Sequence, residues 1–215
     1  MIHDVLELLI SAVGVIIACR ALYETKKQQE ISNKHSLFDK RMQIYIKAQS
    51  LVQVYQHNKP FFDDICIQKE RPETKSVFEI LTSWSGFSNV MFLVDENIGN
   101  SQRIRLLQEL NSLSEKAKCI QFLFEKEKFT AVEEFISSYI SFLWKTFLYY
   151  ELTESVHEIV LKKSIPLEES MNQVGEKRFR QEWFEMLNTV DTSYEEIIQN
   201  DLITKMEDVI KIGQG

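Results

Sequence analysis

The sequence predicts an all-α protein in which an N-terminal transmembrane helix continues into a cytoplasmic bundle of long antiparallel helices. Three observations predict it. Only six Gly and three Pro occur in 215 residues, too few to punctuate many short strands. Apolar residues make up 44% of the chain and charged residues 27%, a balance that buries a core and argues against general disorder. An apolar stretch opens the chain and ends abruptly in positive charge. The length suits one domain with an appendage. Residues 1–24 therefore read as an anchor and 25–215 as a helical domain, with a loop near 57–75.

The opening stretch sets the compartment. From Val5 to Leu22 the only charged residues are Glu7 and Arg20, and the uninterrupted apolar or small run from Leu8 to Cys19 is 12 residues. That run alone is short of the roughly 20 residues a span needs. Ile2, Val5 and Leu6 extend it upstream, and Ala21, Leu22 and Tyr23 downstream. Arg20 can snorkel to headgroups and Tyr23 suits the interface. A secretory signal would place its positive charge first. Here Asp4 and Glu7 come first, and Arg20, Lys26, Lys27, Lys34, Lys40 and Arg41 follow. An uncleaved single-pass helix in the inner membrane, N-terminus outside and remainder in the cytoplasm, fits this order. A helix buried in a soluble body is the alternative, and a cleaved signal fits least.

Glu7 lies near one end of the stretch, where desolvation is weakest, or would face water in a ring of identical helices. Ser11, Gly14 and Ala18 have the small-residue spacing that lets helices approach closely, although small residues are also simply common in spans. The lipid bilayer and a homo-oligomer are the partners these residues imply, with Glu7 and Arg20 as charged rings if a pore forms.

The next element should be one long amphipathic helix. Residues 24–56 contain neither Gly nor Pro. Leu37, Ile44 and Leu51 repeat at seven, flanked by Phe38, Tyr45 and Val52, with Ala48 and Tyr55 completing a stripe at period 3.6. Lys40, Gln43 and Lys47 lie off the stripe, and Ser32–Asn33 is the place for a kink. Residues 57–75 hold two of the three prolines and read as a loop. Thr74 or Ser76 can cap a helix running to about Val94. "DENIGNS" breaks the chain. Ser101 opens a helix to about Lys126 with Ile104, Leu107, Leu110, Leu113, Ala117 and Ile120 on its inner side.

Residues 135–150, "FISSYISFLWKTFLYY", carry eleven apolar or aromatic residues in sixteen. Lys145 and the length argue against a second span. Two readings stand: a central core helix, or an exposed strip with Tyr139, Phe142, Trp144 and Phe147 meeting another subunit or the bilayer surface. Pro166 opens a last region with Trp183, Phe184, Leu187 and Val190 on its apolar side. Ile197, Ile198, Leu202 and Val209 continue it or fold back.

"LFDKRMQIY", residues 37–45, resembles a recurring motif of small bacterial single-span membrane-anchored helical proteins. "MFLVDENI" at 91–98 is similar to a second segment of that group, with Val94 where an aromatic is usual, and "EWFEML" at 182–187 to a third. The resemblance implies a span, a basic juxtamembrane helix and a Leu-rich helix, and it brings no activity with it. Its charges read structurally: Arg41 reaches a carboxylate on a neighbouring helix, and Asp39 caps or pairs. Proteins of this build resemble membrane effectors of antiphage defence, including small membrane accessory proteins of RNA-targeting CRISPR systems. A tethered adaptor for a cytoplasmic protein partner is the alternative role.

Catalytic chemistry finds no foothold in the pattern. His3, His35, His57 and His157 form no i, i+4 pair, and "HEIVLKK" lacks the second His of a zinc-protease box. No phosphate loop, GxGxxG or GxSxG occurs. No Arg precedes His157 by four to six residues, as in some helical RNases. Cys19, Cys66 and Cys119 are too scattered for a zinc framework and read as small buried hydrophobes in a reducing cytoplasm. Carboxylate runs read as solvated helix faces. The net charge of −7 argues against general nucleic-acid binding. No enzyme, cofactor or metal is assigned.

Overall fold

The computed structural model describes residues 2–68, 71–83, 100–163 and 166–212, apart from the side chains of 2–13, 100–102, 158, 163 and 212. Every regular element among them is an α-helix: α1 (Ile2–Gln68), α2 (Thr74–Thr82), α3 (Asn100–Leu123), α4 (Lys126–Lys163), α5 (Leu167–Gln173), α6 (Glu176–Gln199) and α7 (Leu202–Ile212).

Ring pairs and ion pairs give the directions. Tyr55 meets Phe135 and Phe62 meets Phe142, so α1 and α4 run the same way. Trp183 meets Phe142 and Phe179 meets Tyr149, so α6 runs against α4. Arg41 touches Leu123 and Arg103 touches Glu151, so α3 runs against both α1 and α4. The four long helices thus alternate up and down. α4 is the hub, packing on α3, α6, α2, α5 and α7.

The expected stripe of α1 is its core face. Ile44, Tyr45, Ala48, Leu51, Val52 and Tyr55 are all buried, and Lys40 and Gln43 are exposed. Leu37 stays exposed and Phe38 only partly buried because the bundle begins below them. α1 is a single helix through Ser32–Asn33, where a kink was expected. It also runs on through Pro60 to Gln68, so the expected loop at 57–75 is helical over 57–68, and only 71–73 are irregular among its described residues. Proline removes one helical N–H and crowds the preceding turn. Tertiary contacts offset that cost here. Phe62 is buried and stacks on Tyr55 at 5.3 Å, and Lys59 binds Asp191 on α6 at 2.6 Å.

Glu73, not Thr74 or Ser76, is the N-cap of α2, and Thr74 is a buried first-turn residue. α2 ends at Thr82 with Ser83 as its C-cap, short of the expected end near Val94; the segment 91–98 lies outside the described residues. α3 starts at Asn100 and ends at Leu123. Its inner face is Leu106, Leu110, Leu113, Ala117 and Ile120. Ile104 (54% exposed) and Leu107 (37%) turn outward instead. The inner face steps from Leu106 by four, three, four and three residues, and Leu107, directly after Leu106, and Ile104, two before it, fall to its sides. Arg41 donates its Nε–H to the Leu123 carbonyl at 2.6 Å and lies over the Phe124 ring. It therefore caps a helix C-terminus rather than pairing with the expected carboxylate. Asp39 stays exposed.

α4 is the core helix of the two readings. Tyr139, Phe142 and Phe147 are fully buried, and Trp144 is half-buried against the same cluster. The exposed-strip reading of these four residues is therefore corrected: their rings pack inside one chain. Phe142 lies 5.0 Å from Trp183 and Trp144 stacks on Phe147. The Tyr139 hydroxyl donates to the Leu81 carbonyl at 2.6 Å. Trp183 Nε1–H donates to Thr146 Oγ1 at 2.9 Å, and the Thr146 hydroxyl donates to the Phe142 carbonyl. Buried polar groups are thus partnered, as a dry interior demands.

The last region is three helices. Gly175, at φ 72°, makes the left-handed turn between α5 and α6, and Asp201, at φ 48°, separates α6 from α7. Trp183, Leu187 and Val190 are buried as expected, Phe184 partly so, and Ile198 is exposed.

One exception to polar pairing is Ser170 on α5. It is buried, and its hydroxyl finds no partner among the described residues. Ser170→Ala is expected to raise stability by about 1 kcal/mol, seen as a melting temperature roughly 2–4 °C higher. A lower melting temperature would mean that the hydroxyl is satisfied.

A separate effect is electrostatic. Burial, together with Lys116 on α3 beside it, pushes the Lys47 ammonium down to about 8, with Glu109 pulling partly back. The charged form is disfavoured in the folded state, so the penalty is present below pH 8 and is relieved as pH rises towards the unfolded value of roughly 10.4. Above about pH 10 the buried Tyr55, Tyr139 and Tyr149, all shifted upward by burial, oppose further gain. Lys47 should therefore make the urea midpoint higher at pH 9.5 than at pH 7.5, and Lys47→Gln should remove that increment. An equal increment in the variant would exclude Lys47 as its source.

Candidate functional site

The feature that sets this chain apart from an ordinary bundle is the upper half of α1. At 1.5 Å per residue the 67 residues of α1 span about 100 Å. Every residue from Gly14 to Leu37 is exposed, so about 36 Å of bare helix projects beyond the bundle. An isolated helix with no packed face draws little stability from its own propensity. This one exposes Val15 (63%), Ile16 (67%), Ile17 (63%), Leu22 (71%) and Tyr23 (67%). Leaving four aliphatic side chains in water forgoes roughly 1.5–3 kcal/mol each, a sum comparable with the whole stability of a domain. Below Tyr23 the character changes to "ETKKQQE", polar all round, as suits a solvated connector.

Of the residues expected to build the span, Gly14, Ala18 and Arg20 lie on this rod and are exposed. A Cβ added at Gly14 would meet no atom within 4 Å among the described residues, so Gly14 serves no close approach there. Glu7 and Ser11 fall in α1, but their side chains lie outside the described residues. Among the described residues no helix is long and apolar enough to cross a membrane. Residues 5–13, which complete the expected span, fall outside that statement.

The lower bundle carries ionic clusters that the sequence pattern did not reveal. Lys59 joins Asp191 at 2.6 Å, Asp63 at 3.2 Å and Glu195 at 3.4 Å. Burial pulls its pKa down, but the bonds to Asp191 and Asp63 more than offset this, and the net shift is upward. Tyr55 donates to the same Asp191 at 3.3 Å. Lower still, Glu176 is buried. It accepts from the Tyr149 hydroxyl and faces Arg71 at 3.4 Å and Arg180 at 3.8 Å. Lys145, set over the Phe179 ring, bonds Glu182, and with Arg178 it holds that carboxyl below its usual range. The sequence signals were local: an i, i+4 pair at Lys59 and Asp63, and an acidic residue directly after Gly175 where a helix starts. Neither signal names the partner on the other helix.

Chemistry of other kinds is sparse. Among the described residues no group of three or more His, Cys, Asp or Glu is placed to hold a metal. His35, His57 and His157 are exposed and separate. Cys19 and Cys119 are exposed and Cys66 half-buried, which corrects the expectation that all three fill the core. Between α4 and α6 runs an open groove of about 600 Å³ lined by Ser137, Ser138, Ser141, Thr192, Glu134 and Glu196 among others. Fold and site together define a helical bundle with a projecting apolar-tipped helix. Comparison with family models, curated proteins and solved structures finds no match for this chain.

Proposed function

We propose that this chain is an inner-membrane protein whose N-terminal helix crosses the bilayer, assembles with copies of itself, and perturbs or opens the membrane as an effector of antiphage defence. The observation that carries the reading is the exposed, mostly apolar stretch at Val15–Tyr23, which none of the described residues covers. Lipid covers such a surface and satisfies a helix at the same time, because a helix makes its backbone hydrogen bonds internally. The positive residues after the stretch orient the bundle towards the cytoplasm. One span cannot enclose a pathway, so the activity requires several chains, with Glu7 and Arg20 as charged rings and the Ser11, Gly14 and Ala18 spacing permitting close approach. The bundle acts without catalysis, cofactor or metal.

The test is native mass of the full-length protein in detergent, together with ion leakage from cells that overexpress it. An oligomer with leakage that Glu7→Ala alters is the expected result. A monomer that leaves the membrane potential intact would overturn the pore and favour a second reading. In that reading the helix is a tether alone, and the groove between α4 and α6, whose Glu134 and Glu196 are its charged lining residues, receives a cytoplasmic protein.

A further inference from the structure

At the end of the bundle farthest from the projecting rod, the foot of α1 and the first three turns of α6 enclose a groove of about 390 Å³. Cys66 lines it from α1, and Lys177, Arg180, Gln181, Phe184 and Asn188 line it from α6. On α6 these residues recur at three to four, so one face of the helix turns into the groove. No carboxylate is among the described lining residues. Of the carboxylates next to these residues along α6, Glu182 is held by Lys145 and Arg178, and Glu176 is also committed. It accepts from Tyr149 and is shared between two guanidiniums, Arg71 and Arg180. Its contact with Arg180 is 3.8 Å, an ion pair beyond hydrogen-bond length, so the N–H groups of Arg180 remain available to another acceptor. Lys177 and Arg180 are the charged residues that line the groove, and of the carboxylates beside it Glu185 accepts from Gln181, in a chain whose total is −7. Asp191 on α6 and Asp63 on α1 face the Cys66 end of the groove and are paired with Lys59.

Phe184 adds an apolar wall, since it is only partly buried against the core. The volume lies in the range of small-molecule sites, which pair apolar walls with a few placed polar groups, and it far exceeds what a bare inorganic anion fills. Arg and Lys supply the donors that phosphate oxygens accept, and an aromatic face next to them suits a flat ring.

We propose that this groove binds a small phosphate ester carrying a flat ring, of the mononucleotide class. The phosphate sits between Lys177 and Arg180 and the ring lies against Phe184. Nothing in this depends on the membrane anchor or on oligomerisation, so the two proposals fail separately.

Cys66 makes the groove readable. With Cys19→Ser and Cys119→Ser in the full-length chain in detergent, it is the one thiol left, and its burial pushes the thiol pKa up, so that labelling is slow enough to follow. The measurement is the rate of maleimide labelling of Cys66 with millimolar adenosine monophosphate, adenosine, or inorganic phosphate. The monophosphate should slow labelling about fivefold or more, and adenosine or phosphate alone should slow it less than twofold. Lys177 is exposed, so Lys177→Glu leaves the fold in place and should abolish the protection. An unchanged rate with the monophosphate, equal protection by adenosine or by phosphate, or protection that survives Lys177→Glu would each overturn the proposal.

Discussion

Val15→Lys combined with Ile16→Lys is expected to move the full-length chain from the membrane fraction to the supernatant. Each lysine near the middle of a span costs roughly 2–3 kcal/mol of insertion free energy. The pair therefore shifts partitioning by about 10³-fold or more. The same change should leave the bundle untouched, because both residues lie on the projecting part of α1 and are more than 60% exposed. Far-ultraviolet circular dichroism and tryptophan fluorescence are the controls for that. Alkaline washing of membranes supplies the readout. A wild-type chain that the wash releases, or a double variant that resists it, would show that residues 5–22 do not cross lipid.

Trp183→Ala is expected to be the most damaging single change in the bundle. The side chain is fully buried on α6, against Phe142 at 5.0 Å and Phe184 at 5.2 Å. Truncation loses the transfer free energy of the indole and leaves a cavity, roughly 3–5 kcal/mol together. It also leaves Thr146 Oγ1 without the N–H that it accepts, although the hydroxyl keeps its own bond to the Phe142 carbonyl. The melting temperature should fall by roughly 6–20 °C for a chain of this size. Trp183→Phe, which fills more of the space, should cost less than half as much. A small effect of the alanine variant, under about 1 kcal/mol, would mean that α4 and α6 do not pack through this ring.

Legibility in the sequence followed the strength of the local signal. The α1 stripe from Ile44 to Tyr55 was readable because seven-residue repetition over a Gly- and Pro-free stretch admits one interpretation. Pro60 reads as a loop in the sequence because its cost is local and visible, whereas the stacking of Phe62 on Tyr55 and the reach of Lys59 to Asp191 are tertiary and silent. In α3, Leu106 and Leu107 are adjacent, and only the neighbouring helices decide which of the two faces inward. The aromatics of α4 left core and interface open, since composition says that a ring will be buried but not by what. Cys19 and Cys119 show the opposite error, small apolar residues assigned inward and found outside. For the candidate site, the apolar stretch and its charged flank were visible from the start, while the basic groove at Cys66 was not. Its residues lie more than a hundred positions apart, on two helices that only packing brings together.

The continuity of α1 has a mechanical consequence. The same rod forms a wall of the bundle at one end and the bare projection at the other, with no joint at Ser32–Asn33 and none at Pro60. The part above Leu37 is about 54 Å long, so it acts as a lever arm. A tilt of about 5° where α1 leaves the bundle displaces the tip by about 5 Å, the height of one helical turn. Any rearrangement that reseats the lower half of α1 against α6 therefore arrives at the far end magnified.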